Sequence, residues 1–451
     1  MSALDHCFKY HVITFGCQMN ENDSKQIASL LYHAQYEPCN STEEADIIII
    51  NTCCVRQSAE NKIYGLIGQL KKVKQASPHK ILIVCGCMAQ KEGTVTKIRE
   101  QYKHVDMILG TFALEKISMY IKTYLDDQKK IVDVQEKEHH EESAFIPEAA
   151  ISFKSQVNII YGCNNFCTYC IVPYVRGREM SRTPDKVLEE VNYLASHGVC
   201  EVQLLGQNVN SYAKDFPADS PYYGWSFAKL LQEVAKIDPL RRIRYMTSHP
   251  RDFSYQLVDV IGNLDKVCKH FHLPVQSGCD EILKKMNRGY TTEYYYDLLC
   301  YIRKICPNAS ITTDFIVGFP GETDNNFRET LHFVEKCQFD AAYTFLYSNR
   351  SGTPAAKMEQ QISPQLKKER LQQLINLQNP ISLACNNRFV GQTLAVMVEG
   401  ESKTNPAMWS GRSDSNKIVI FEKQKDIQKG QIIPIKIMSA KTWNLTGKPI
   451  E

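Results

Sequence analysis

The strongest constraint on this chain is a regular alternation of short β-branched runs with amphipathic helical segments. Residues 10–15 read as a strand, and residues 23–35 as a helix capped by Asp23. Residues 45–50 form a run suited to a buried strand, 58–75 a helix, 80–84 and 105–109 two more strands, and 114–125 a further helix. This β-α-β-α-β order implies a parallel sheet with helices on both faces. The alternation resumes at Phe153, with strands expected at 157–160, 201–205, 243–247, 269–273, 311–317 and 341–346. Helices such as 184–196, 226–237 and 292–304 lie between them. Six β/α units predict a barrel or part of one, with its site at the carboxyl ends of the strands. After Gln378-Asn379-Pro380 the pattern becomes all-β, with strands expected at 393–399, 417–421 and 432–439. That length suits a small barrel of the kind that holds nucleic acid. The fold class expected is α/β: an open parallel sheet, a partial (β/α)6 barrel and a small all-β barrel.

Composition narrows the function classes. The 451 residues are 43% hydrophobic and 23% charged, which excludes a collagen-like or disordered chain. No apolar run approaches the ~20 residues needed to span a bilayer, and residues 1–10 read as neither a signal nor a transit peptide. A cytoplasmic, membrane-free protein is therefore expected, and its 17 cysteines should be thiols or metal ligands rather than disulfides. Net charge is +3. Residues 126–150 hold eight acidic and three basic residues and include His139-His140; they read as a solvated linker. Residues 384–451 hold ten basic and six acidic residues, a mild indication of a polyanionic partner.

Three cysteines, Cys163, Cys167 and Cys170, fall within eight residues, spaced C-x3-C-x2-C after the first barrel strand. Structural zinc calls for four ligands, and no fourth cysteine or histidine is near. A [4Fe–4S] cluster held by three thiolates leaves one iron open to a substrate and fits better. In the first sheet, Cys17, Cys53 and Cys87 each lie just beyond a predicted strand end. Those ends share one edge, so three cysteines remote in sequence can meet there and hold a second cluster. Cys54 adjoins Cys53, and Cys85 lies two before Cys87, so geometry leaves the choice within each pair open; Cys85 suits a buried strand end. The other nine cysteines lack ligand spacing, although Cys279 lies near the barrel mouth. His249, His270 and His272 lie at strand ends and read as satisfied polar residues.

The spacing of Cys163, Cys167 and Cys170, with Tyr169 before the last, resembles the radical S-adenosylmethionine superfamily. Gly318-Phe-Pro-Gly-Glu-Thr323 resembles a loop common in that superfamily, and Leu205-Gly206-Gln207-Asn208 is placed to touch the cofactor. Gly206, Gly318 and Gly321 are thus candidate cofactor contacts. Three motifs are similar to those of the methylthiotransferase N-terminal domain: Gly16-Cys17-Gln-Met-Asn20, Asn51-Thr-Cys53 with Val55-Arg56, and Gly86-Cys87-Met-Ala-Gln90. Tyr161-Gly-Cys163, Arg176-Gly-Arg178, Ser181-Arg182, His272 to Gly278 and Met286-Asn-Arg-Gly-Tyr290 are similar to the same family's radical domain. Gly411-Arg-Ser-Asp-Ser-Asn-Lys417 is similar to its TRAM barrel. The chain is thereby identified as a member of the methylthiotransferase family of radical S-adenosylmethionine enzymes.

The resemblance implies a domain order of 8–125 for the auxiliary-cluster domain, 126–148 for an acidic linker, 149–381 for the radical core and 384–448 for an RNA-binding TRAM domain. It implies two [4Fe–4S] clusters, one on Cys163, Cys167 and Cys170 and an auxiliary one on Cys17, Cys53 and Cys87. S-adenosylmethionine binds the open iron of the first cluster and, after one-electron reduction, yields the radical. Gln18-Met19-Asn20 resembles the branch that methylthiolates carbon 2 of N6-isopentenyladenosine at position 37 of tRNA. Expected partners are the tRNA anticodon loop and a low-potential electron donor such as a flavodoxin or ferredoxin, and a monomer is expected. Arg388, Arg412, Lys417, Lys423, Lys425 and Lys441, with Trp409 and Trp443, are the candidate RNA contacts of the last domain. The alternatives are transfer to threonylcarbamoyl-adenosine tRNA or a ribosomal protein and, in a different class, a non-catalytic RNA-binding protein with zinc-stabilised cysteine sites.

Overall fold

Two strands rich in isoleucine set the first sheet. Ile47–Thr52 and Ile81–Gly86 are buried along their whole length, as only central strands covered on both faces can be. In the computed structural model, which describes residues 7–54, 57–135 and 151–450, six strands form this sheet. They are β1 (Lys9–Thr14), β2 (Glu37–Pro38), β3 (Ile47–Thr52), β4 (Ile81–Gly86), β5 (Met107–Leu109) and β6 (Ile131–Asp133), all parallel, in the order β2-β1-β3-β4-β5-β6. Side chains alternate between its two faces. Ile48, Ile50, Leu82, Val84 and Ile108 join one core, while Ile47, Ile49, Ile81, Ile83 and Met107 join the other. Each buried isoleucine contributes about 1.5–3 kcal/mol.

Two sequence expectations change here. The first helix runs Gln18–His33, starting right after Cys17, and Asp23 is a buried residue inside it rather than its cap. Three of its buried polar residues face polar partners rather than solvent: Asn20 bonds Asn51 and Thr52 O, Ser24 bonds Asn51, and Asp23 bonds Arg176. The acidic stretch also contributes a strand: β6 pairs with β5 and is only three residues long, too short for a visible period. Val55-Arg56 and His139-His140 lie outside the described residues.

The second unit is built on β7 (Lys154–Asn158), β8 (Ile160–Tyr161), β9 (Met180–Ser181), β10 (Glu201–Leu205), β11 (Arg242–Tyr245), β12 (His270–His272), β13 (Ser310–Val317) and β14 (Ala341–Leu346). β7, β10 and β11 form one parallel sheet and β12, β13 and β14 another. A parallel bridge from Ile243 to Val267 joins them, giving six strands in chain order and a partial barrel. β8 and β9 form a small antiparallel ribbon beneath the cysteine loop. The helix Pro364–Asn387 continues through Pro380, where the sequence suggested a boundary. Gln378 is held there, its amide donating to Phe339 O (2.8 Å) and Ser382 Oγ (2.9 Å).

The last unit is a closed barrel of β15 (Thr393–Ser402), β16 (Asn405–Ser413), β17 (Ile418–Glu422), β18 (Ile432–Ala440) and β19 (Leu445–Pro449), in the order β15-β16-β17-β19-β18. β16 and β19 were not expected; glycine, proline and serine or threonine mask their alternation. This barrel sits against the amino-terminal ends of the radical-barrel strands, away from the cysteine loop. Arg242 donates to Arg412 O (2.6 Å) and Ala395 O (2.7 Å). Arg244 bonds Glu201 (2.8 Å) and Ser413 O (2.9 Å). Asp340 pairs with Lys417 (2.7 Å) and Arg388 (3.0 Å).

These contacts revise the candidate RNA residues. Lys417 and Trp409 are buried, and Arg412 and Lys423 pair with Glu399 and Glu401. Lys425, Lys441 and Trp443 remain exposed, Trp443 by 59%. Among the described residues, no helix is long and apolar enough to cross a membrane.

Candidate active site

Cys163, Cys167 and Cys170 occupy the loop after β8, at the carboxyl end of the radical barrel. A tight backbone holds the loop. Gly162 has φ +66°, and a Cβ there would meet Arg178 O at 2.0 Å. Cys163 N–H donates to Gly177 O (3.2 Å), and Cys170 N–H to Cys167 O (2.9 Å). The motif Met286 to Tyr290 clasps the loop from the other side. Thr168 N–H donates to Met286 O (3.1 Å), and Asn287 donates to Asn165 O (3.3 Å) and Phe166 O (3.1 Å). Arg288 is buried and donates to Cys167 Sγ (3.3 Å), Pro274 O (2.6 Å) and Tyr290 Oη (2.9 Å). Burial pushes the Cys163 thiol up to about 11. Burial and then Cys167 push Cys170 up to about 12.

The second set gathers at the edge of the first sheet. Cys17 follows β1, Cys53 follows β3, and Cys87 follows β4. Gly16 (φ +144°) brings the chain against Cys53, and a Cβ on it would stand 2.7 Å from Cys53 Cβ. A hydrogen bond from Cys53, with the charge of Arg176, outweighs the desolvation by neighbouring groups and lowers the exposed Cys17 to about 6. Cys87 is lowered by a hydrogen bond from Cys54 and by Arg176, against burial. Cys54, as the donor and a buried group, is raised well above the ordinary thiol value. Cys85 is completely buried in the opposite core, and that burial raises it strongly. Cys85 therefore faces away from the edge that Cys87 shares, whereas Cys54 stays beside Cys87.

A radical-domain segment packs onto the core of the first sheet and links the two sets. Ile171 and Val175, just after Cys170, belong to the same buried cluster as Cys54 and Cys87. Thr111 donates to Val175 O (2.6 Å), and the Gln18 and Gln203 amides meet across the junction at 3.4 Å. Among the described residues no three Cys, His, Asp or Glu side chains are drawn together as for a single metal ion. A cubane cluster needs its thiols set wider than one ion does, and two groups of three thiols match its donor chemistry. The loops after β10 and β11, at the carboxyl ends of the strands, also hold buried polar atoms that lack partners: both side-chain polar atoms of Asn210, Ser248 Oγ and His249 Nε2. A polar ligand there would satisfy them.

His249 thus departs from expectation. Its Nδ1 accepts from Arg251 N–H (3.3 Å), but Nε2 is unpaired, and burial keeps the ring neutral. His270 and His272 are satisfied by Thr312 Oγ1 at 2.9 and 3.0 Å. Gly206 follows β10 and packs on Ile160, where a Cβ would come within 2.3 Å of Cγ2. Gly318 (φ +72°) follows β13; its N–H donates to buried Glu322 (3.1 Å), which Arg370 also binds (2.8 Å). Gly321 (φ +75°) donates to Gln360 O (3.0 Å). Phe319, between these glycines, packs in a cluster with Met286, Tyr347 and Tyr169 of the cysteine loop. Sequence reasoning missed Arg176, Arg288, Asn210 and Ser248 as site residues; the flanking motifs held the two arginines but gave them no partners.

A three-thiol loop at the mouth of a partial parallel barrel defines the radical S-adenosylmethionine class, and residues 157–334 match the Radical SAM superfamily model. Residues 9–110 match the uncharacterized protein family UPF0004, and residues 387–450 the TRAM domain. The chain is 49% identical over 440 residues to the tRNA-2-methylthio-N(6)-dimethylallyladenosine synthase of Pelotomaculum thermopropionicum, covering 97% of each chain. It is 48% identical over 442 residues to the synthase of that name from Moorella thermoacetica, covering 98% of each. The chain belongs to the tRNA-2-methylthio-N(6)-dimethylallyladenosine synthase family. Among solved structures it is similar in fold to the radical S-adenosylmethionine methyltransferase TsrM from Kitasatospora setae. That likeness has a TM-score of 0.55 and 13% identity, and covers 78% of this chain and 77% of that one.

Proposed function

We propose that the chain methylthiolates carbon 2 of N6-isopentenyladenosine at position 37 of tRNA, giving 2-methylthio-N6-isopentenyladenosine. The observation that supports this reading is the segment after Cys170, whose Ile171 and Val175 pack with Cys87 and whose Arg176 donates to Cys87 Sγ, in a chain alike over nearly its full length to synthases of that name. Cys163, Cys167 and Cys170 hold one [4Fe–4S] cluster, beside which S-adenosylmethionine binds. Cys17, Cys53 and Cys87 hold a second. When bound, these groups supply one-electron chemistry and sulfur that no side chain offers for an unactivated C–H bond. The chain's own residues bind and orient. Arg288 fixes Cys167, and the loops at Gly206, Gly318 and Gly321 shape the cofactor side of the mouth. Asn210, Ser248 and His249 offer polar atoms to ligand groups.

The substrate base leaves the anticodon-loop stack to reach the mouth, and loop nucleotides splay out most readily. Lys425, Lys441 and Trp443 of the last barrel contact RNA backbone and bases. A flavodoxin or ferredoxin delivers the electron, and the enzyme works as a cytoplasmic monomer.

The test is mass spectrometry of tRNA nucleosides from a strain lacking this chain. The methylthiolated nucleoside should disappear, with N6-isopentenyladenosine accumulating in its place. An unchanged methylthio pool refutes the substrate assignment.

A further inference from the structure

Arg176 stands between the two cysteine sets. It ends the helix Val172–Arg176, which begins two residues after Cys170. Its side chain is 5% exposed. Nε donates to Cys87 Sγ at 3.2 Å, and Nη2 donates to Asp23 at 2.6 Å, where Asp23 is buried as well. The next residue, Gly177 (φ +75°), turns its carbonyl to the Cys163 N–H at 3.2 Å. One dipeptide therefore touches a cysteine of each set: the side chain reaches the first sheet and the backbone the radical loop.

Burying a guanidinium is costly unless it is paired and its donors are used. Asp23 supplies the countercharge, so the pair leaves little net charge at the site. What remains is a directed N–H aimed at one sulfur. The geometry requires arginine in particular. Its planar fork places Nε on sulfur while Nη2 holds the carboxylate, and the single ammonium of lysine cannot span both in fixed directions. The Cys54 thiol reaches Cys87 as well, so two groups restrict where that sulfur can point.

We propose that Arg176 is a positioning residue for the second cluster: anchored by Asp23, it donates to Cys87 as a ligand sulfur and orients it toward Cys17 and Cys53. This rests on the reading that those three cysteines hold a cluster. Hydrogen bonds to ligand sulfur stabilise the more negative, reduced state, so they raise the reduction potential of a cluster.

The experiment uses full-length protein carrying Cys163→Ala, Cys167→Ala and Cys170→Ala, reconstituted anaerobically with iron and sulfide. This parent should hold about four irons. A parent that binds no iron refutes the second-cluster reading itself, irrespective of Arg176. In an iron-loaded parent, Arg176→Lys and Asp23→Asn are compared by iron content, melting temperature and potentiometric titration followed by electron paramagnetic resonance. Arg176→Lys should shift the midpoint to a more negative potential or lose iron at an unchanged melting temperature. Asp23→Asn should shift it in the same direction by less. Unchanged iron and an unchanged midpoint in a folded Arg176→Lys protein overturn the proposal. If Arg176→Lys fails to fold, Asp23→Asn decides: a negative shift supports the positioning role, and no shift overturns it.

Discussion

Cys163, Cys167 and Cys170 are brought together by a single loop, and Cys17, Cys53 and Cys87 by three separate strand ends of a parallel sheet. The electrostatic settings differ as much as the topology. In the loop set, burial dominates and holds Cys163 and Cys170 as neutral thiols at neutral pH. In the sheet set, hydrogen bonds from neighbouring thiols and a buried arginine outweigh desolvation, and the exposed Cys17 and the buried Cys87 are both lowered. Two sites of like composition are thus prepared differently. One needs iron to drive its protons off, while the other is partly ionised before metal arrives.

The largest expected effect separates the roles. Cys167→Ala should abolish both reductive cleavage of S-adenosylmethionine and methylthiolation, by on the order of a thousandfold or more. Cys53→Ala should abolish methylthiolation while 5′-deoxyadenosine still forms. If Cys53→Ala loses both in a folded protein, the division of labour is wrong.

The pH response comes next. In metal-free protein, Cys17 at about 6 is already mostly thiolate at pH 7, whereas Cys163 at about 11 is almost wholly protonated. Raising the pH from 7 to 9 should therefore speed alkylation of Cys163 by about a hundredfold and leave Cys17 nearly unchanged. Mass-spectrometric mapping of iodoacetamide adducts over time reads this directly. Equal pH slopes at the two residues would erase the contrast.

A smaller effect tests the loop set alone. Arg288→Leu removes the donor to Cys167 and to Pro274 O. Iron affinity at the radical site should fall by roughly ten- to a hundredfold, with the second site spared. Iron content measured in a Cys17→Ala/Cys53→Ala/Cys87→Ala background isolates that site. The smallest effects concern the bystanders. Cys85→Ala should cost about 1 kcal/mol of stability, seen in a denaturant melt, and lose no iron. Cys54→Ala should likewise retain the iron of both sites, and a loss would make Cys54 a ligand.

Much of this was legible before any coordinates. The runs Ile47-Ile48-Ile49-Ile50 and Ile81-Leu82-Ile83 announce buried parallel strands because only a doubly covered strand is apolar at every position. The C-x3-C-x2-C spacing is local, so it needs no fold to be noticed. What escaped the sequence depends on distant partners or on very short elements. β6 is three residues long and takes its identity from pairing with β5. Asp23 looks like a cap until its partner, 153 positions away, is seen to be Arg176. Arg412 and Lys417 look like RNA contacts because sequence shows charge but not Glu399 and Asp340 beside it. The unpartnered atoms of Asn210 and Ser248 have no sequence signature at all.

Ile171 and Val175 have a consequence for taking the molecule apart. They follow the radical cysteines in the chain, yet they complete the hydrophobic interior of the sheet that carries the other three. A radical half expressed alone, cut within residues 136–150, would present these two side chains to water. Its missing partner would keep a socket with nothing in it. The borders suggested by sequence patterns are therefore not seams along which the protein can be divided. The first two units should melt in a single transition, and neither should be usable as a spare part.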